Sequence, residues 1–120
     1  MDKFKLSINV STKEIDYIMA GALEGGSNYW IDDFPKIVGK ERGDYASEHL
    51  AQGGSILIYT RDMDGNVEGQ PGWYKLTRKM LIKGIAKYYD TYNHLNFDQM
   101  DAGDYDCILQ FALFDEIVYA

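Results

Sequence analysis

Little in this chain suits cross-linking, metal capture or covalent catalysis. A single cysteine, Cys107, allows no internal disulfide, and it lies in an apolar run, the setting of a buried thiol in a reducing compartment. The only histidines, His49 and His94, stand far apart with no Cys or His cluster beside either, so the ligand spacing of a zinc site is missing. None of the 12 glycines falls in a G-x-G-x-x-G or P-loop pattern, and no serine sits in a nucleophile elbow. With two prolines, no repeat and no low-complexity segment, the 120 residues read as one domain without a linker. No apolar run approaches the roughly 18 residues needed to cross a bilayer. The opening "MDKFKLSINV" alternates apolar and polar residues instead of forming an h-region, so no secretory signal is predicted. These absences predict a cytoplasmic protein away from membranes, with no metal, no cofactor and no catalytic motif.

Charge of one sign is also missing from one part of the chain. All 12 lysines and arginines precede Tyr88, whereas Asp90, Asp98, Asp101, Asp104, Asp106, Asp115 and Glu116 follow it, within a net charge of −7. An acidic last third argues against direct nucleic-acid binding, which depends on phosphate contacts. It suits a face that meets a basic partner.

What is present is an ordinary globular balance, 46% hydrophobic and 26% charged, with an excess of tyrosine. Phe4, Leu6, Ile8 and Val10 alternate with polar residues, which predicts a first strand. Ser11 and Glu14 form the Ser-x-x-Glu signature of a helix start, and Ile15, Ile18, Met19, Ala22 and Leu23 continue it to about Glu24. Gly25 and Gly26 are expected to stop that helix in the left-handed conformation. Asn28 to Phe34 reads as extended. Asp44 is expected to cap a short helix over Tyr45 to Gln52, stopped by Gly53 and Gly54. "SILIYT" (Ser55 to Thr60) and Trp73 to Leu76 read as strands joined by the turn-rich "RDMDGNVEGQPGW". Thr77 caps a helix over Arg78 to Tyr92, Asp101 or Asp104 opens another with Ile108, Phe111 and Ala112 inward, and "EIVY" closes as a strand. About five mainly antiparallel strands and about four helices without strict alternation predict an α+β domain.

Several groups of residues invite chemistry. Asp62, Asp64, Asn66 and Glu68 resemble a calcium loop, but an EF-hand would place its turn glycine and closing glutamate where Val67 and Trp73 stand, so a hairpin turn explains them. Asp98, Asp101, Asp104 and Asp106 could bind a metal or place two carboxylates for acid–base work, but acids in a first helical turn are favoured by capping and by the dipole without any chemistry. Lys79, Lys83 and Lys87 repeat one helical turn apart as a basic stripe that could hold a phosphate, or simply face solvent. Tyr29-Trp30 and Trp73-Tyr74 place adjacent rings on opposite faces if extended, one toward the core and one toward a surface or pocket.

Taken together, "ALEGGSNYW", "YASEHLAQGG" and "DAGDYDCILQFALFDEIVY" resemble a group of small proteins carried by bacterial phages and prophages. Members pair an ALEGG-x-x-YW segment with a YASE-type helix and a closing DAGD-x-D-C-I helix. The matching residues are Glu24, Gly25, Gly26, Tyr29, Trp30, Tyr45, Glu48, Gly53, Gly54, Asp104, Asp106 and Gln110. The resemblance implies a counter-defence context, in which a small protein grips a host protein or sequesters a signalling molecule.

Two functions follow as expectations. The first is a non-enzymatic ligand-binding protein, a homo-oligomer that sequesters a nucleotide-derived signal. Its site would combine Glu24, Gly25, Gly26, Asn28, Tyr29, Trp30, Tyr45 and Glu48 with Lys79, Lys83 and Lys87: glycine-turn amides for phosphate, rings for a base. The alternative is an acidic inhibitor that covers a basic, nucleic-acid-binding surface of a host protein with Asp98, Asp101, Asp104 and Asp106. A weaker third is a hydrolase built on Glu24, Glu48, Asp104 or Asp106.

Overall fold

The computed structural model describes residues 9–120. Four α-helices, one π-helical turn and a three-stranded sheet follow in the order α1 (Thr12–Gly21), π-turn (Ala22–Gly26), β1 (Lys36–Val38), α2 (Ala46–Ala51), β2 (Ser55–Tyr59), β3 (Trp73–Leu76), α3 (Arg78–Tyr92) and α4 (Ala102–Phe114). The sheet order is β1-β2-β3, antiparallel throughout, with Lys36 opposite Leu57 and Leu57 opposite Lys75. The class is α+β, but the described residues hold three strands where about five were expected.

Among the described residues, each difference in strand count has a local cause. The predicted strand over Phe4 to Ile8 lies outside the described residues, and Asn9 and Val10 are irregular. "EIVY" is an irregular tail, because its backbone meets a side chain in place of a partner strand. Gln110 Oε1 accepts from the backbone N–H groups of Val118 (2.9 Å) and Tyr119 (2.8 Å), and Gln110 Nε2 donates to Tyr119 O (3.0 Å). The segment expected to be extended from Asn28 instead begins as a turn, in which Trp30 N and Ile31 N both donate to Ser27 O. β1, which was not anticipated, is only three residues long and too short to carry a pattern.

The starts of α1, α3 and α4 are where local chemistry puts them, whereas α2 is preceded by Tyr45 rather than Asp44 at its N-cap, with no side-chain cap hydrogen bond. Ser11 Oγ accepts from Glu14 N (3.1 Å) while Ser11 N donates to Glu14 Oε1 (3.0 Å), a reciprocal capping box. Asp101 and Asp104 make the same exchange at α4, and Thr77 Oγ1 accepts from Met80 N at α3. The glycine stop differs from expectation. Gly25 and Gly26 lie inside the π-turn, neither at positive φ, and Ser27 N closes it by donating to Ala22 O at 2.8 Å. Gly26 is needed for another reason: a Cβ there would collide with the backbone carbonyl of Ala102 at the start of α4.

The core face of the sheet presents Ile56, Ile58, Tyr74 and Leu76 to the helices, which contribute Ile15, Ile18, Met19, Leu50, Leu81, Ile85, Tyr88, Ile108 and Leu109. α3 packs closely along α4 because Gly84 has no side chain; a Cβ there would stand 2.6 Å from Ile108 O. The free edge of β3 is covered by its own loop. Asn66 N donates to Trp73 O, Asn66 Oδ1 accepts from Lys75 N (2.6 Å), and Asn66 Nδ2 donates to Lys75 O. A side-chain amide thus substitutes for a fourth strand at that edge. No helix among the described residues is long and apolar enough to cross a membrane.

Candidate functional site

The polar centre of the molecule is Asp106, on the second turn of α4 and 6% exposed. Its Oδ1 accepts from Ser27 Oγ and Trp30 Nε1, each at 2.7 Å, and its Oδ2 from Tyr29 OH (2.7 Å) and Gln110 Nε2 (3.1 Å). The π-turn aims the segment from Ser27 to Trp30 at this carboxylate, and Gly26 lets it come close enough. The tail then seals the cluster. The Tyr119 ring stacks on Trp30 with centroids 5.3 Å apart and planes 1° apart, and Phe114 tilts against both. The Tyr119 hydroxyl meets Thr60 Oγ1 at 2.8 Å, reaching the end of β2. A buried carboxylate here gathers four neutral donors, and both described ion pairs, Arg61–Asp32 and Lys87–Asp115, lie elsewhere.

This geometry answers what Tyr29 and Trp30 do. Trp30 is 3% exposed with its N–H spent on Asp106, so the indole is part of the core and offers no face to a ligand. Tyr29 remains half open, but its hydroxyl donates to Asp106, and its pKa is pushed up to about 12 by burial and then by that carboxylate. Tyr88 is raised further above the ordinary tyrosine value by burial and by its bond to Asp104. Burial pushes the Asp104 carboxyl up, yet donors from Asp101 N and the Tyr88 hydroxyl outweigh it and hold Asp104 below the usual carboxylate value.

The remaining residues expected to bind a ligand are not gathered around one space. Glu24 and Gly25 lie exposed on the π-turn. Asn28 lines a cleft of about 430 Å³ beside Asp32 and Asp33, surroundings that repel phosphate. Tyr45 is exposed ahead of α2, and Glu48 Oε1 accepts from Asp44 N while its side chain borders a separate cleft with Lys13 and Asp16. Lys79 and Lys83 project from α3 into solvent. Lys87 does not continue the stripe: its Nζ donates to Asp115 O (2.7 Å) and to Asp115 Oδ1 (3.0 Å), satisfying the C-terminal end of α4. Of the acidic set, Asp106 is buried and Asp101 and Asp104 cap α4, while Asp98 is exposed.

Another cleft was not legible as a site. It measures about 490 Å³ and runs between the first turns of α1 and the loop entering α4, with Tyr17, Phe97, Tyr105 and Met100 along it and Glu14, Asp98 and Lys13 at its polar positions. Tyr105 (5% exposed) and Met100 (8%) form its buried side, and Tyr17 is 66% exposed. The Tyr17 and Tyr105 rings meet edge to face, 6.4 Å apart. The one sequence signal for it was Tyr17, an aromatic off the inward face set by Ile15, Ile18 and Met19. Among the described residues no group of three or more His, Cys, Asp or Glu side chains is placed to hold a metal ion.

No family model matches the chain, no curated protein matches its sequence, and no solved structure matches its fold.

Proposed function

We propose that the protein is a non-enzymatic binding protein whose acidic face covers a basic surface of a partner protein. The observation that carries this is the convergence of carboxylates from two distant parts of the chain on one aromatic cleft: Glu14 from α1 and Asp98 from the loop before α4, with Asp101 next in the chain to the cleft residue Met100. Among the described residues Lys13 is the only cation lining that cleft, and no Lys or Arg follows Lys87 to offset the face. Sequestration of a nucleotide-derived signal finds less support, because Trp30 is consumed by the core, Lys87 by α4, and Asn28 by an acidic cleft. In the phage context that the motif resemblance implies, the partner is a nucleic-acid-binding protein in the cytoplasm of the host.

The test is to measure binding of the full chain to a panel of purified bacterial nucleic-acid-binding proteins at low and high salt. Screening shortens to a Debye length of roughly 3 Å at 1 M salt, so a complex held by this face should form at low salt and weaken steeply as salt rises. Asp98→Asn should weaken it further. No complex at low salt, together with a melting temperature raised by cyclic or ADP-ribose-type nucleotides, would replace this reading with nucleotide sequestration.

A further inference from the structure

We infer that the cleft between α1 and the loop before α4 takes an arginine side chain of that basic partner; the inference rests on the acidic-face reading and deepens it. The cleft has the chemistry of a guanidinium site. Tyr17, Phe97 and Tyr105 supply ring faces and edges, and an aromatic face attracts a cation through its quadrupole. Tyr17, exposed over two thirds of its surface, leaves a face open for a planar group to lie on. Carboxylates stand at the polar positions. Glu14 uses Oε1 to cap α1 (3.0 Å from Ser11 N), which fixes its position, and Asp98 is exposed with no hydrogen-bond partner among the described residues. Among the described residues, two carboxylates against the single ammonium of Lys13 give the cleft a net negative lining.

Arginine satisfies this set better than lysine. Its guanidinium is planar, stacks on a ring, and can donate two parallel N–H bonds to one carboxylate, whereas an ammonium is a compact, strongly hydrated point charge. A planar anion such as a nucleotide would meet Glu14 and Asp98 with the wrong sign. A volume of about 490 Å³ also exceeds one side chain, so the flanking residues of a peptide fit along the same cleft. The buried side formed by Tyr105 and Met100 belongs to the hydrophobic core, so the wall against which the arginine packs is rigid before binding.

The experiment is a titration of the full chain with a short arginine-rich peptide and a charge-matched lysine peptide at low salt, by calorimetry. The wild type is compared with Tyr17→Ala, Asp98→Asn and, as a control of equal charge change away from the cleft, Asp90→Asn. Both cleft positions are exposed, so the variants should fold, which circular dichroism checks. The expected result is tighter binding of the arginine peptide, weakened about tenfold by Tyr17→Ala or by Asp98→Asn and little by Asp90→Asn, the size of one cation–π or charge-assisted contact. Arginine binding that ignores Tyr17→Ala and treats Asp98→Asn like Asp90→Asn would overturn the cleft while leaving the acidic face standing. Equal affinity for the two peptides would overturn the choice of arginine. Failure of both peptides to bind at low salt would overturn the acidic-face reading as well.

Discussion

Removing the Asp106 carboxylate should cost the fold several kcal/mol, and the structure says roughly how much. Asp106→Ala takes away the acceptor of four hydrogen bonds. Two of the donors keep a second acceptor, since Tyr29 OH and Gln110 Nε2 also reach Tyr119 O at 3.1 and 3.0 Å. The other two, Ser27 Oγ and Trp30 Nε1, are buried and would be orphaned. At about 1–3 kcal/mol for each unsatisfied buried donor, the loss is roughly 2–6 kcal/mol. Relief of desolvating a carboxylate that has no cation beside it offsets part of this, which puts the net near 3 kcal/mol. Asp106→Asn keeps one acceptor oxygen for Ser27 and Trp30 but turns an NH₂ group toward Gln110 Nε2, and should cost about 1–2 kcal/mol. Thermal unfolding followed by circular dichroism reads the difference, at roughly 3–5 °C per kcal/mol for a domain of this size. Trp30→Phe removes the indole N–H; its cost and that of Asp106→Ala should fall short of additive by about 1 kcal/mol in the double variant, because they remove the same contact. An Asp106→Ala variant melting within a few degrees of the wild type, or an asparagine variant as unstable as the alanine one, would refute the clamp.

Three further outcomes follow from the same packing. Gly84→Ala should destabilise by about 1–3 kcal/mol despite the better helix propensity of alanine, because the new Cβ meets Ile108 O and Ala112 and pries α3 from α4; a gain in denaturant midpoint would show the helices can shift apart freely. Tyr29 contributes stability that is present below pH 10 and lost as pH rises from 10 towards its folded value of about 12, since the fold favours the protonated hydroxyl that donates to Asp106. Urea titrations across that range should show a steeper decline for the wild type than for Tyr29→Phe, and identical slopes would count against the bond. Gln110→Glu should free the tail by setting a second carboxylate against Asp106 Oδ2 and Tyr119 O; carboxypeptidase digestion or hydrogen exchange at Val118 and Tyr119 should then accelerate, and unchanged protection would sink the view of Gln110 as the tail's anchor.

The features legible in the sequence are those that neighbours along the chain settle among themselves. Ser11 with Glu14, Thr77 with Met80, and Asp101 with Asp104 cap their helices across three residues, so α1, α3 and α4 begin where the sequence predicts. β2 and β3 likewise follow from short apolar runs flanking a loop rich in turn residues. The acidic last third was also visible, because charge is a property of composition.

Tertiary structure decided everything that joins residues far apart. Trp30 and Asp106 are separated by 76 positions, and no periodicity announces that one will donate to the other. In sequence the glycines of "ALEGGSNYW" read as a local stop, whereas Gly26 answers to the Ala102 carbonyl of another helix. "EIVY" has the composition of a strand but is held by the side chain of Gln110, an amide that offers the same donor and acceptor as a neighbouring backbone. The cleft that joins Glu14 and Tyr17 to Phe97 and Asp98 exists only because α1 packs beside the entrance to α4. Capping and strand propensity act over a few bonds and can be read in order; burial rewards any two surfaces that fit, and which ones meet is settled only when the whole core closes.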